Sequence, residues 1–150
     1  MLLPRIVIGG TGSGCGKTTV VCAILKALKN RGSKVSAAKC GPDYIDPMFQ
    51  ERALDVPSKN IDLFFSDDNL TKALLAEHTK DSDICVIEGV MGYYDGQSFE
   101  NTNGSTYNVA DVLGSPAVIV LNARGMALTT AALIKGMADF EKNSGNEQAG

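Results

Sequence analysis

The run Gly10-Thr11-Gly12-Ser13-Gly14-Cys15-Gly16-Lys17-Thr18-Thr19 holds the residue types that grip phosphates. Glycines let successive backbone N–H groups turn inward around an anion. Lys17 adds a full positive charge, and Thr18 adds a hydroxyl suited to Mg²⁺. The Gly-Lys-Thr ending argues for a mononucleotide such as ATP. A dinucleotide site would want an acid at the end of the second strand, where Lys39 stands instead. Thr11, Gly12, Ser13, Gly14, Cys15, Gly16, Lys17, Thr18 and Thr19 are therefore the expected nucleotide contacts. One departure stands out. The strict P-loop pattern begins with glycine where this chain has Thr11, and Gly10 lies one residue earlier.

Metal bound to phosphates also draws on protein carboxylates. Glu88 closes the apolar run Ile84-Cys85-Val86-Ile87, the position of a Walker-B acid. Asp43 follows the second predicted strand, and its spacing suits a metal ligand and a turn former equally. Asp46-Pro47 and Asp95-Gly96 read locally as turn pairs. The single histidine, His78, reads as a solvated helix residue, and Tyr93 and Tyr94 as either packing or ligand contacts.

Alternating strands and helices must position these groups. Strands are predicted at Arg5–Gly9, Val35–Lys39, Ile84–Ile87 and Val118–Leu121. Helices are predicted at Lys17–Asn30, within Asp43–Leu54, over Leu70–Lys80 behind an Asp67 or Asp68 cap, from Ser105 or Thr106 to Leu113, and over Leu128–Phe140. This is a three-layer α/β/α arrangement, a P-loop NTPase-like parallel sheet with helices on both faces. All strand C-termini of such a sheet open onto one edge. Lys17, Lys39, Asp43 and Glu88 should meet there. Residues 1–142 read as one domain, and 143–150 as a polar, flexible tail.

The chain of 150 residues has a hydrophobic fraction of 44%, enough to build a core. Its net charge of −3 is spread along the sequence, so no basic face for nucleic acid or a membrane surface emerges. No apolar run is long enough to span a bilayer. Cys15, Cys22, Cys40 and Cys85 lack C-x-x-C spacing and read as reduced packing residues of a cytoplasmic protein.

The run Lys39-Cys40-Gly41-Pro42-Asp43-Tyr44-Ile45-Asp46-Pro47 resembles a signature of the cobyrinate a,c-diamide synthases. So do the Gly10–Thr19 loop, Glu88-Gly89-Val90-Met91-Gly92-Tyr93-Tyr94-Asp95-Gly96, Gly104-Ser105-Thr106 and Leu113-Gly114-Ser115-Pro116. The resemblance runs from Pro4 to Phe140, and Thr11 suits this family and the related dethiobiotin synthetases. It implies ATP- and Mg²⁺-dependent amidation of a tetrapyrrole polycarboxylate, in cobalamin synthesis, through an acyl phosphate. It further implies metal-holding roles for Thr18, Asp43 and Glu88, and catalytic roles for Lys17, Lys39, Asp43, Asp46 and Asp95. Substrate contacts would come from Tyr44, Ser105 and Thr106. Members of the family are longer. The resemblance thus implies further synthetase strands and a glutaminase domain as missing partners, and little or no synthetase activity in this stretch alone. Amidation of a nickel tetrapyrrole and a nucleotide-binding module without catalysis are the alternative readings. A homodimer is compatible with the sequence. A partition-type switch fits less well, because it would carry a lysine where Gly12 stands.

Overall fold

A computed structural model of the chain describes residues 3–98 and 100–144. Its elements are β1 (Arg5–Gly10), α1 (Lys17–Asn30), β2 (Val35–Cys40), α2 (Ile45–Leu54), β3 (Ser58–Ile61), α3 (Asp68–His78), β4 (Ile84–Glu88), α4 (Thr106–Val112), β5 (Ala117–Val120) and α5 (Leu128–Ser144). The strands form one sheet in the order β3-β2-β4-β1-β5, and every pairing is parallel. No helix among the described residues is long and apolar enough to cross a membrane.

Strand alternation sorts the core into two layers. Val7, Ala38, Cys85 and Ile87 point to one face, where they meet Leu75 of α3 and Val109 of α4. Ile8, Ala37 and Val86 point to the other, against Val21 and Leu25 of α1. Near-continuous apolar strands, buried on both faces, are what a parallel sheet requires. Cys40 and Cys85 belong to this packing, and all four cysteines are free.

Four strands were expected, and five are present among the described residues. The segment Ser58-Lys59-Asn60-Ile61 has no apolar run, so composition hides it. It becomes β3 because the β2 edge offers ladder partners. Ala37 N–H donates to Pro57 O at 2.8 Å and Gly41 N–H to Ile61 O at 2.9 Å, while Ser58 and Ile61 turn inward. The last strand begins at Ala117 and ends at Val120, one residue earlier than expected. Helix α5 continues through Ser144, into the stretch expected to be a tail. Residues 145–150 of that tail lie outside the described residues. His78 is not a solvated side chain. It is half-buried, with Nε2 2.8 Å from the Ala37 carbonyl.

Candidate functional site

Helix α1 starts directly after the glycine-rich loop, so its unpaired N–H groups face the loop cavity. Gly14 (φ 73°) and Gly16 (φ 103°) adopt left-handed backbone there, and a Cβ on either would meet open space. That space is a cavity of about 460 Å³ lined by Ser13, Gly14, Gly16, Lys17, Thr18 and Thr19, with Lys39 and Glu88–Met91 across from them. The Lys17 ammonium donates to two neutral carbonyls, Gly12 O at 2.8 Å and Met91 O at 2.6 Å. Its charge is thus held in the loop without a carboxylate on either bond. Cys15 Sγ lies 3.9 Å from the same nitrogen. Thr11 stands apart. It lines a second cavity, of about 360 Å³, with Tyr93, Tyr94 and residues of β5 and α5.

The second half of the site hangs on a cross-strand pair. Lys39 and Glu88 are register partners at the C-terminal ends of β2 and β4. Lys39 Nζ lies 3.1 Å from Glu88 Oε1, 2.8 Å from Asp46 Oδ2 and 3.8 Å from Asp43 Oδ2. Thr18 Oγ1 donates to Glu88 Oε1 at 2.5 Å, which joins the glycine loop to this ion cluster. Lys17, Thr18, Lys39 and Glu88 therefore share one cavity, and Asp43 and Asp46 adjoin it through Lys39. The expected convergence at the sheet edge is present.

Burial sets the charge states. Glu88 is fully buried, and that desolvation pushes its carboxyl above the usual range. Hydrogen bonds from Thr18 and Lys39 reverse only part of the rise, and the Asp46 charge adds to it. Burial alone would lower Lys39, but the bond to Asp46 and the charge of Glu88 outweigh it, and its pKa is raised. For Asp43, burial pushes upward. The N–H groups of Ile45 and Asp46, with the Lys39 charge, prevail and lower it.

The remaining expected residues are placed differently. Tyr44 is three-quarters exposed, beside Asp43 in a groove next to Val90. Asp95 closes a turn, accepting Gly92 N–H on Oδ2 at 2.9 Å. Ser105 and Thr106 were expected to reach a substrate, and both are fully buried. The Ser105 hydroxyl caps α4 by accepting Asn108 N–H at 3.1 Å. The Thr106 hydroxyl bridges Val90, accepting from its N–H at 2.9 Å and donating to its carbonyl at 3.0 Å. Gly89 must be glycine for the same reason, since a Cβ there would strike Thr106 and the Ile8 carbonyl. Both hydroxyls shape the loop after β4 instead of facing a ligand. Tyr93 and Tyr94 pack, forming a ring cluster with Tyr107 and Phe140.

Sequence reasoning missed Gln50 and Ser58. Gln50 is fully buried and donates from Nε2 to Glu88 Oε2 at 3.2 Å, while its Oε1 accepts from Ser58 Oγ at 2.6 Å. The available signal was helical spacing. Asp46 and Gln50 are four apart on α2, hence on one face.

The CobQ/CobB/MinD/ParA nucleotide binding domain family matches residues 6–147. Three similar relatives each carry the name cobyrinate a,c-diamide synthase. The one from Leptospira interrogans (strain Fiocruz L1-130) is 43% identical over 139 residues, covering 93% of this chain and 31% of the relative. The one from Thermoplasma acidophilum is 44% identical over 140 residues, again 93% and 31%. The one from Priestia megaterium is 40% identical over 136 residues, 91% and 30%. The chain spans about a third of the length of these relatives.

Proposed function

Because this chain belongs to the CobQ/CobB/MinD/ParA nucleotide binding domain family, we propose that it binds Mg-ATP and carries the phosphoryl-transfer half of a carboxylate amidation. The substrate class follows the relatives' name: a cobyrinate-type tetrapyrrole bearing acetate side chains. The observation that supports this most is the Thr18–Glu88–Lys39 constellation set against an open glycine cradle.

The residues present fit the ligands. The cradle offers inward N–H groups and free space for a phosphate. Among the described residues, no three His, Cys, Asp or Glu side chains form a metal cage. Mg²⁺ does not need one, because it keeps waters and phosphate oxygens and takes only one or two carboxylates. Thr18 and Glu88 would hold it, with Asp43 on the adjoining side. When bound, Mg²⁺ neutralises charge on the transferred phosphoryl group.

A substrate carboxylate oxygen attacks the γ-phosphorus, the bond to the β-phosphate oxygen breaks, and ADP leaves. Ammonia then attacks the acyl carbon of the acyl phosphate, and inorganic phosphate departs to leave the amide. Phosphoryl transfer between anions needs fixed positive charge. Lys17 supplies it at the loop by exchanging its two carbonyl partners for phosphate oxygens. Lys39 supplies it across the cavity, oriented by Asp43, Asp46 and Glu88. Asp95 keeps the Gly92 turn, and the exposed Tyr44 would contact the substrate. Supply of ammonia, from glutamine on this reading, would fall to the part of the relatives that this chain does not cover.

A second reading, a nucleotide-binding module without catalysis, is supported by the family description, which names nucleotide binding alone. One experiment separates the two. The purified chain is titrated with Mg-ATP by calorimetry, then incubated with Mg-ATP, a cobyrinate-type polycarboxylate and hydroxylamine, which traps acyl phosphates. Binding together with substrate-dependent hydroxamate supports the ligase reading. Binding with no hydroxamate supports the module. No binding overturns both.

A further inference from the structure

Glu88 has two carboxylate oxygens, and the fold treats them unequally. Oε1 takes the Thr18 hydroxyl at 2.5 Å and the Lys39 ammonium at 3.1 Å, on the cavity side. Oε2 takes the Gln50 amide at 3.2 Å, on the helix side. Gln50 is itself fully buried and held at two further points: its Oε1 accepts from Ser58 Oγ at 2.6 Å, and its backbone carbonyl accepts Val56 N–H at 3.2 Å. Ser58 is fixed in β3, paired in register with Ala37 of β2.

The cost of this arrangement argues that it serves the site. Fixing a glutamine side chain forfeits up to about 1.5–2 kcal/mol of rotamer freedom. Burying its amide penalises folding unless both ends are paired. An apolar residue at this buried position of α2 would avoid the second cost. What the amide alone provides is an N–H aimed at Glu88. The Glu88 carboxylate, an acceptor only, settles which end of the amide faces it. The NH₂ group points to Glu88, a flipped amide would set oxygen against carboxylate oxygen, and Oε1 is left to accept from Ser58 Oγ.

We propose that Gln50, anchored by Ser58, is a positioning residue that locks the Glu88 carboxylate so that Oε1 is presented to Thr18 and the metal side of the cavity. This rests on the Mg-ATP reading of the site. Gln50 touches neither nucleotide nor metal; it acts through Glu88. Loss of the N–H frees the carboxylate to rotate, and Oε1 would no longer be held against Thr18 where Mg²⁺ would bind. The same helix carries Asp46, so α2 sets two members of the ion cluster at once.

The test measures ATP affinity by calorimetry in excess Mg²⁺ and in EDTA, for the unsubstituted chain, Gln50→Met, Ser58→Ala and Ser58→Thr. Removal of such outer partners lowers metal affinity by roughly 10–100-fold. Gln50→Met should lower the Mg²⁺-dependent gain in ATP affinity by that factor. Its EDTA affinity should stay within about twofold of the unsubstituted value. Ser58→Ala should shift the gain in the same direction, and Ser58→Thr, which keeps the hydroxyl, should restore it. If Gln50→Met does not fold, the two Ser58 variants decide. Parallel losses in Mg²⁺ and EDTA indicate a merely structural role and overturn the proposal. A Mg²⁺ gain that survives every substitution overturns it while leaving the Mg-ATP reading intact. No Mg²⁺ gain in the unsubstituted chain removes both.

Discussion

At the scale of single residues, two lysines divide the electrostatic work. Lys17 is held by neutral carbonyls, and Lys39 is held by acids. The difference predicts opposite phenotypes. Lys17→Ala removes a charged donor worth about 1.5–3 kcal/mol to an anion. It should weaken ATP binding at least tenfold by calorimetry and lower the melting temperature less than Lys39→Met does. Lys39→Met instead leaves Glu88 buried without its cation. Breaking a buried pair by removing one partner costs about 3–5 kcal/mol. Urea denaturation without metal should show a loss of that size, and Mg²⁺ should recover part of it by replacing the missing charge.

At the scale of elements, the loop after β4 is shaped by what packs behind it. Ser105 caps α4, and Thr106 clasps Val90. Ser105→Ala removes an N-cap worth about 1 kcal/mol. It should lower the melting temperature by roughly 2–4 °C for a domain of this size. Tyr94 ties the same loop to α5, donating its hydroxyl to Met137 O at 2.8 Å and stacking near Phe140 at 4.8 Å between ring centroids. Leu128, Leu133 and Ile134 of α5 are exposed. Limited proteolysis should cut α5 several-fold faster in Tyr94→Ala while β1 to β4 remain protected.

At the scale of the whole molecule, the two buried thiols set an alkaline limit on stability. Burial pushes Cys40 up to about 12 and Cys85 up to about 11, from 9.0. Below pH 9 both thiols are protonated whether the chain is folded or unfolded, and their contribution is fully present. Above pH 9 the unfolded chain releases protons that the folded chain keeps, so stability falls as pH rises. The slope is about 1.4 kcal/mol per pH unit for each thiol until its folded pKa is reached. Denaturation midpoints should stay nearly level from pH 8 to 9 and fall from pH 9 through 10 to 11. Cys40→Ala and Cys85→Ala should each flatten the decline, whatever fixed packing loss they cause.

Much of this protein was legible in its residues. The glycine loop, Lys17, Thr18, the strand-end position of Glu88 and the two-faced parallel sheet follow from local rules: glycine freedom, strand and helix periods, and the shared edge of parallel strands. These features are determined by short stretches of chain, and short stretches are what sequence patterns report. The tertiary structure decided the rest. Ser58–Ile61 carries no strand pattern of its own and became β3 only through the edge of β2. Ser105 and Thr106 lay at a helix start, as read, but burial turned their hydroxyls inward. Gln50 resembled any polar helix residue until α2 packed it against Glu88. In each case the deciding term was a partner far away in sequence, and desolvation by that partner determined what the side chain could do.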